Sequence, residues 1–566
     1  MTGRSTRLLS RVVFRRLFEN DLFSSPTAAA GGLVWLLAAL ATPGVMMSGQ
    51  QYYFYAHART FSPDRLDRIM FVSQAFHVDF AMAMAGLVTM LVWTSLTPDR
   101  RDAFVLGPLP IAAGEQARAR LLALLQFFAM FAVAVALPTA VVFTFVTVGD
   151  AGVREVAARM MGHASATLLG AGFVFFVLVG LQLLLAIILR PRAVAAATLP
   201  LQVAALLGLI GAVSFTGRLA DALLGPEPLA SAWVAWNPAA WFVGVYRWLA
   251  GDSRAIFAEL AARGVLAFGG IVAIVLVAYP FAYRRCLANA LAGPGSRARW
   301  TDAAMRLWLR CLGPLLPTPL ERGLAAFIAA TITRSHTHRF LIASYVAVAV
   351  AFALPLAGHL LGPADGGAAQ YAWFSVPLGL LWWTAAAVRV SMMLPVEPRS
   401  NWAFQLTEPV DKARTLSTAV TVIHGATTVP LAVAFGVASG LAGGPVLGVT
   451  VVALVLAVGL ALAEGLTLTL RTVPCTCTYR PGQLRLRVLW PVYVLAWIGL
   501  SYVMPNVALW ALGDAWRSTA VVGFWLTLGL ALRTWRLLRT RRLRAFVFEE
   551  TDPSIATTID LSSARA

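Results

Sequence analysis

Two carboxylates beside a histidine are the first residues in the chain whose types and spacing could support catalysis. Asp64 and Asp67 lie three residues apart, shortly after His57. Such a pair can hold a metal ion or act as a general base, as in membrane-embedded sugar transferases. Arg65 and Arg68 alternate with the carboxylates, which is typical of a solvated helical turn with paired charges. The solvated turn is the favoured interpretation.

Three further ionisable residues fall inside long apolar runs: His77, Asp79 and Glu464. Ionisable groups are costly at membrane depth and often mark the path of a substrate or ion. Simpler explanations exist, because His77 and Asp79 lie near the outer end of their run, where water can reach them. Glu464 could pair with Arg471 near the interface. All three remain candidates for a substrate path.

Nucleotide, metal and cofactor chemistry are not expected in this chain. Lys412 is the only lysine, and no phosphate-binding loop of the form GxxxxGK[ST] occurs. Cys475 and Cys477 are separated by one residue, whereas paired zinc ligands are usually separated by two to four. We therefore predict that the chain is not an enzyme.

The composition excludes an ordinary soluble domain. Of the 566 residues, 59% are hydrophobic and 13% charged, and the mean hydropathy is +0.75. Soluble domains are about 45–50% apolar. The net charge of +19 could indicate nucleic-acid binding, but no basic soluble domain or stacking motif accompanies it. The lipid bilayer is the expected surrounding.

About twelve apolar runs are long enough to cross a bilayer as helices. They lie at residues 27–48, 71–96, 121–148, 163–189, 193–216, 264–283, 340–361, 372–394, 416–440, 446–470, 488–504 and 518–532. Most lysines and arginines fall in the segments that share a side of the membrane with the N-terminus, and such residues concentrate in the cytoplasm. With an even number of crossings, both termini are then expected in the cytoplasm. We predict an all-α polytopic protein of the cytoplasmic (inner) membrane. The excess of arginine over lysine suggests a bacterial gene.

The runs divide into two halves of six, and an amphipathic interfacial helix precedes each half. In the first, Arg7, Arg11 and Arg15 form one stripe of the segment 4–23; the second covers residues 320–339. The predicted divisions are 1–283 for the first half with an outer hairpin at 217–263, 284–339 for a cytoplasmic linker, 340–537 for the second half and 538–566 for a basic tail.

A mixed-charge cluster follows the second run: Asp99, Arg100, Arg101 and Asp102. Gly107, Pro108 and Pro110 then end any helix, because proline lacks the donor that a continuing helix needs. We predict a short helix lying across the membrane face. Two runs into the second half, Glu397 and Arg399 repeat the acid-to-arginine spacing, which indicates an internal duplication.

The first of these segments resembles the first coupling helix of type-2 ABC exporter permeases, in which a DRRD-like cluster and a Gly-Pro-Leu-Pro step follow the second membrane helix. The sequence NPAAWFVGVYRW, from Asn237, resembles their re-entrant hairpin. The resemblance implies a permease with both six-helix halves fused in one chain. Two separate cytoplasmic ATPase subunits would bind ATP and magnesium, dock after the second and eighth spans and drive export of a substrate.

The resemblance also implies docking residues. Charge complementarity would involve the four residues of the first cluster with Glu397 and Arg399, while Phe104, Trp402 and Phe404 would anchor in a groove of the ATPase. The second segment lacks the Gly-Pro-Leu-Pro step, so the two docking surfaces are not equivalent. The alternatives are a secondary transporter driven by an ion gradient and, with less support, a membrane-embedded glycosyltransferase.

Overall fold

A computed structural model describes residues 2–18, 26–57, 62–98, 100–106, 108–147, 152–225, 232–291, 299–360, 366–394, 402–406, 408, 411–476, 492–493, 495–543, 545–546 and 548. All regular structure in these residues is helical. The chain divides into two compact units. The first is Met1–Arg297 with Val350–Pro355, and the second is Ala298–Ala349 with Leu356–Ala566.

The first unit is built around one buried helix. Its helices are α1 (Thr2–Phe18), α2 (Pro26–Ala56), α3 (Pro63–Leu91), α4 (Arg100–Leu106), α5 (Ala113–Thr147), α6 (Val153–Ile188), α7 (Pro191–Val213), α8 (Thr216–Leu223), α9 (Ala232–Ala235), α10 (Pro238–Leu249) and α11 (Ala255–Leu291). Helix α3 packs against α5, α6, α7, α8 and α10. Ser62 caps the N-terminus of α3, and Asn237 caps that of α10; each precedes a proline at the first helical position.

The second unit has a comparable centre in α19. Its helices are α12 (Arg299–Leu312), α13 (Pro319–Arg334), α14 (His336–Leu360), α15 (Gly367–Ser391), α16 (Trp402–Leu406), α17 (Lys412–Ile423), α18 (Val429–Gly443), α19 (Pro445–Thr467), α20 (Met504–Leu512) and α21 (Ala515–Arg541). Helix α19 packs against α15, α17, α18 and α21. A π-helical turn, His424–Thr428, joins α17 to α18.

Eleven helical segments in the described part of the chain are long and apolar enough to cross a membrane. The prediction of an all-helical, multi-pass membrane protein is therefore confirmed. The first predicted run, residues 27–48, lies in the 31-residue helix α2, whose side chains are described only in part. The arrangement of twelve spans as two equal halves stays a prediction.

Two segments differ from the sequence-based expectation. The predicted linker contains a helix, α12, that we did not predict. Helix α13, predicted as an interfacial lead, buries Leu324, Ala325 and Ile328 in the apolar core of the second unit. Its apolar face therefore packs on protein. The predicted outer hairpin, residues 217–263, contains the short helices α8, α9 and α10. It is shorter than predicted, because the long helix α11 begins at Ala255.

Candidate functional site

The first elbow, residues 92–112, connects α3 to α5. A 3-10 turn, Trp93–Ser95, is followed by the seven-residue helix α4, as the prolines of this segment predict. Asp99 and Gly107 lie outside the described residues. Arg100 and Arg101 form the first turn of α4, but the positions of their side chains are not described.

A buried ion pair fastens the first elbow to α5. Nη1 of Arg120 lies 2.7 Å from Oδ2 of Asp102, and the two side chains are 10% and 5% exposed. Nε of the same arginine donates to the carbonyl of Ser95 at 2.8 Å. Asp102 is buried, and a buried carboxylate needs an internal partner, so its charge is used within the protein; its predicted docking role stays a prediction. Asp102 positions α4.

Three uncharged side chains add further attachments. The hydroxyl of Tyr279 in α11 donates to the carbonyl of Leu96 at 3.0 Å. Nε2 of Gln182 in α6 donates to the carbonyl of Trp93 at 3.0 Å, and that of Gln116 in α5 donates to the carbonyl of residue 111 at 3.1 Å. The first elbow is thus bonded to three membrane-spanning helices.

Three large apolar side chains of the first elbow are exposed among those that the structure describes. Phe104 is 59% exposed, Val105 65% and Leu109 45%. The exposure of Phe104 suits the predicted anchor, and its docking role stays a prediction. Buried polar attachments beneath an exposed apolar surface give this short helix a fixed orientation.

The second elbow, residues 392–411, connects α15 to α17 and contains α16. Glu397 and Arg399 lie outside the described residues, and only the backbone of Trp402 is described. The ring centroid of Phe404 lies 5.1 Å from that of Phe327 in α13. Phe404 is therefore a partly buried packing residue, which disagrees with the predicted anchor because its ring faces the protein core.

The second span of each unit ends in a similar way. The carbonyl of Leu394, at the position corresponding to Leu96, lies 3.0 Å from Nε2 of His338 in α14. A carbonyl only accepts, so Nε2 carries the hydrogen. The backbone N–H of Cys475 also donates to the carbonyl of Met392 at 2.7 Å. Each second span therefore ends on a carbonyl bonded by a side chain from another helix, Tyr279 in the first unit and His338 in the second.

His77 lies in a closed polar cluster. It is 1% exposed, so the water access that its position near the end of the run suggested is not found. Nδ1 donates to the carbonyl of Ser73 at 2.7 Å, and Nε2 lies 2.7 Å from the hydroxyl of Ser48. The ring of His163, which sequence analysis missed, is 5.0 Å away. Asp79 is also buried. It follows His77 by two residues, so it faces a different side of α3.

An arginine in α10 links the short outer helices to α3. Nη1 of Arg247 lies 2.5 Å from Oδ1 of Asp67, and its Nε donates to Gln74 at 2.6 Å. Arg254 bonds both Asp67 and Asp252. Asp67 is 30% exposed and Asp64 is exposed, as a solvated turn requires, but the partners of Asp67 come from outside that turn. A carboxylate held by two guanidinium groups is also poorly suited to catalysis, and no group of three potential metal ligands occurs among the described residues.

The pKa of Asp252, which lies between α10 and α11, reflects the same arrangement. Burial raises the pKa of this carboxyl. Hydrogen bonds from the side chain and backbone of Arg254, together with the positive charge of Arg247, lower the pKa by more than burial raises it. The net effect is a lowered pKa. Asp252 is therefore held in its ionised form beside the two arginines.

Glu464 has a different partner from the one its sequence position suggests. Helix α19 ends at Thr467, before Arg471. The carboxylate instead accepts two hydrogen bonds from Arg536 in α21, at 2.5 and 3.2 Å. Both side chains are 2% exposed. Glu464 is thus part of a closed ion pair rather than an open substrate path.

No family model, curated protein or solved structure matches the chain.

Proposed function

We propose that the chain is the membrane-spanning permease of an ABC exporter of the bacterial inner membrane. Two separate cytoplasmic ATPase subunits bind ATP and magnesium, dock on the two elbows and drive export of a substrate. The observation that carries this proposal is the buried Asp102–Arg120 pair, which fixes a short helix with an exposed apolar surface.

A helix that receives force from a partner must be attached to the spans that it moves. A displacement of the first elbow would reach α5 through Arg120, α11 through Tyr279 and α6 through Gln182. Packed interiors resist gradual deformation and so transmit such displacements. A loop that served only solubility would not need these buried bonds.

An ion-driven secondary transporter is the second candidate, because the paired rings of His77 and His163 are a buried titratable cluster in the first unit. The repeated architecture of such transporters places related sites in both halves. In the second unit, Glu464 and Arg536 form a closed ion pair instead. The exporter is therefore the better supported function.

Co-purification from the native membrane tests the proposal. Tagged wild-type chain should bring down an ATPase that mass spectrometry identifies, and Phe104→Ala should lose most of it. Phe145→Ala is the matched control, since Phe145 is 67% exposed on α5 near the end opposite the first elbow. Absence of an ATPase from every wild-type preparation, or equal recovery with both variants, would contradict the proposal.

A further inference from the structure

The last described residues of the chain return to the second elbow. Helix α21 ends at Arg541, and Phe546, five residues later, is 4% exposed in the apolar core of the second unit. Its backbone N–H donates to Oε1 of Glu408 at 2.7 Å. Leu543 and Phe548 pack against the same core as partly buried side chains. The C-terminal segment, meaning the described residues Leu543, Ala545, Phe546 and Phe548, is thus attached by three apolar side chains and one hydrogen bond.

Glu408 also contacts the first turn of α17. Nζ of Lys412 lies 3.4 Å from the same Oε1 atom and 6.0 Å from the ring centroid of Phe546. The side chain of Lys412 is 14% exposed. The only lysine of the chain is therefore enclosed by the C-terminal segment and the second elbow.

This attachment has the strength expected of a reversible contact. Burial of the Phe546 ring shifts an equilibrium by about 10- to 100-fold, and the partly buried side chains of Leu543 and Phe548 add to this. Ordering the backbone of a short segment opposes the gain. A partner that binds the detached arrangement somewhat more tightly could therefore displace the segment. The first elbow differs, because Phe104 and Val105 are largely exposed.

We propose that the described residues of the C-terminal segment form a clasp that holds the second elbow through Glu408 and Phe546, and that an ATPase subunit engages this elbow fully only after the clasp opens. The regulatory role depends on the proposed exporter function. The clasp itself does not, because its opening can be measured on the permease alone. The first elbow is then the constant docking site and the second is the conditional one.

Lys412 provides the measurement, because its amine is the only one in any side chain. Full-length protein in detergent is treated with an N-hydroxysuccinimide ester, and the peptide containing Lys412 is quantified by mass spectrometry. Phe546→Ala should label about tenfold faster than wild type. Phe524→Ala, a control at a 62% exposed ring of α21, should label at the wild-type rate.

Glu408→Gln keeps the size of the side chain and removes its charge, so it tests the clasp even if Phe546→Ala fails to fold. It should also label faster than wild type. Wild-type labelling rates in a folded variant of either residue would overturn the clasp. If the ATPase co-purifies, Phe546→Ala should bind more of it per permease than wild type does; unchanged or weaker binding would overturn the regulatory role. If the variants label faster but no ATPase co-purifies from any native-membrane preparation, the clasp is supported and only the exporter proposal is contradicted.

Discussion

Nε of Arg536 lies 2.5 Å from Oε2 of Glu464, although the two residues are separated by 72 positions and each side chain is 2% exposed. Nη1 of Arg536 also donates to the hydroxyl of Ser417 at 3.2 Å. Three helices, α17, α19 and α21, are therefore joined by one guanidinium group. Removing a charge from water costs free energy, so each buried side chain of this ion pair is stabilised only while its partner is present.

Breaking this ion pair should strongly destabilise the second unit. Glu464→Ala or Arg536→Ala leaves a buried charge without its partner, and we expect each to cost about 3–5 kcal/mol of unfolding free energy. The double variant Glu464→Gln/Arg536→Met should cost less than the sum of the two. Denaturant unfolding in detergent measures these values, with exposed Arg533→Ala as the control. Equal effects of Arg533→Ala and Arg536→Ala would contradict the prediction.

Loss of Arg120 should loosen the first elbow. Arg120→Ala removes the bonds to Asp102 and to the carbonyl of Ser95, so α4 should detach from α5 more often. We expect chymotrypsin to cleave after Phe104 at least about tenfold faster, since proteolysis follows the open population. Arg118→Ala, at an exposed position of the same helix, should leave the cleavage rate unchanged. Similar rates in both variants would mean that the pair does not hold the elbow.

The sequence predicts the helices better than it predicts their partners. Uniform apolar runs require spanning helices, and prolines around the first elbow require a short one, so both are local properties. The partner of Asp67 is not predictable from its neighbours in sequence, Arg65 and Arg68, because Arg247 lies 180 positions away. No periodicity specifies such a pairing.

Polar residues inside apolar runs are the sequence signal for the further residues that bond the first elbow and His77. Gln182 lies within the apolar sequence of α6, and it bonds the first elbow. His163 lies at the start of a predicted run, where it could equally have been an interfacial residue. Only the packing of α6 against α3 brings it to His77.

The charge cluster around Asp252 should give a specific pH dependence. Its carboxyl has a lowered pKa in the folded protein, so its stabilising contribution is present above the usual value of about 3.9 and is lost as the pH falls through the lowered folded value. Stability should thus be level from about pH 5 to 7 and fall below about pH 4. Asp252→Asn should cost about 1–2 kcal/mol at pH 7 and reduce this acid dependence.

Thermal unfolding between pH 3 and 7 measures the effect. Asp64→Asn, at an exposed carboxylate of α3, is the control. It should change neither the level stability at higher pH nor the loss of stability in acid. If Asp252→Asn lost stability in acid to the same extent as the wild type, this carboxylate would not contribute to the stability of the charge cluster.

Helices α18 and α19 should not tolerate a methyl group where they meet. A Cβ added to Gly448 would lie 2.8 Å from both the carbonyl oxygen of Gly436 and the Cα of Gly440, so the backbones would have to separate. We expect Gly448→Ala to cost about 1–3 kcal/mol. A Cβ at Gly523 in α21 meets no atom within 4 Å, so Gly523→Ala should be neutral or stabilise by up to about 1 kcal/mol. Unfolding of both variants in detergent makes the comparison, and a neutral Gly448→Ala would contradict the close approach.

Replacement of His77 distinguishes the two candidate functions. In the exporter, His77 is a structural residue that bonds Ser48 and the carbonyl of Ser73. His77→Gln should then lower stability by about 1–3 kcal/mol but retain ATP-driven export in vesicles that contain the permease and its ATPase. A proton ionophore should not abolish that export, because the energy comes from ATP. The ion-driven alternative requires the opposite result, in which the ionophore and His77→Gln each stop transport while removal of ATP does not. His163→Gln should match His77→Gln in either case, since the two rings share one cluster.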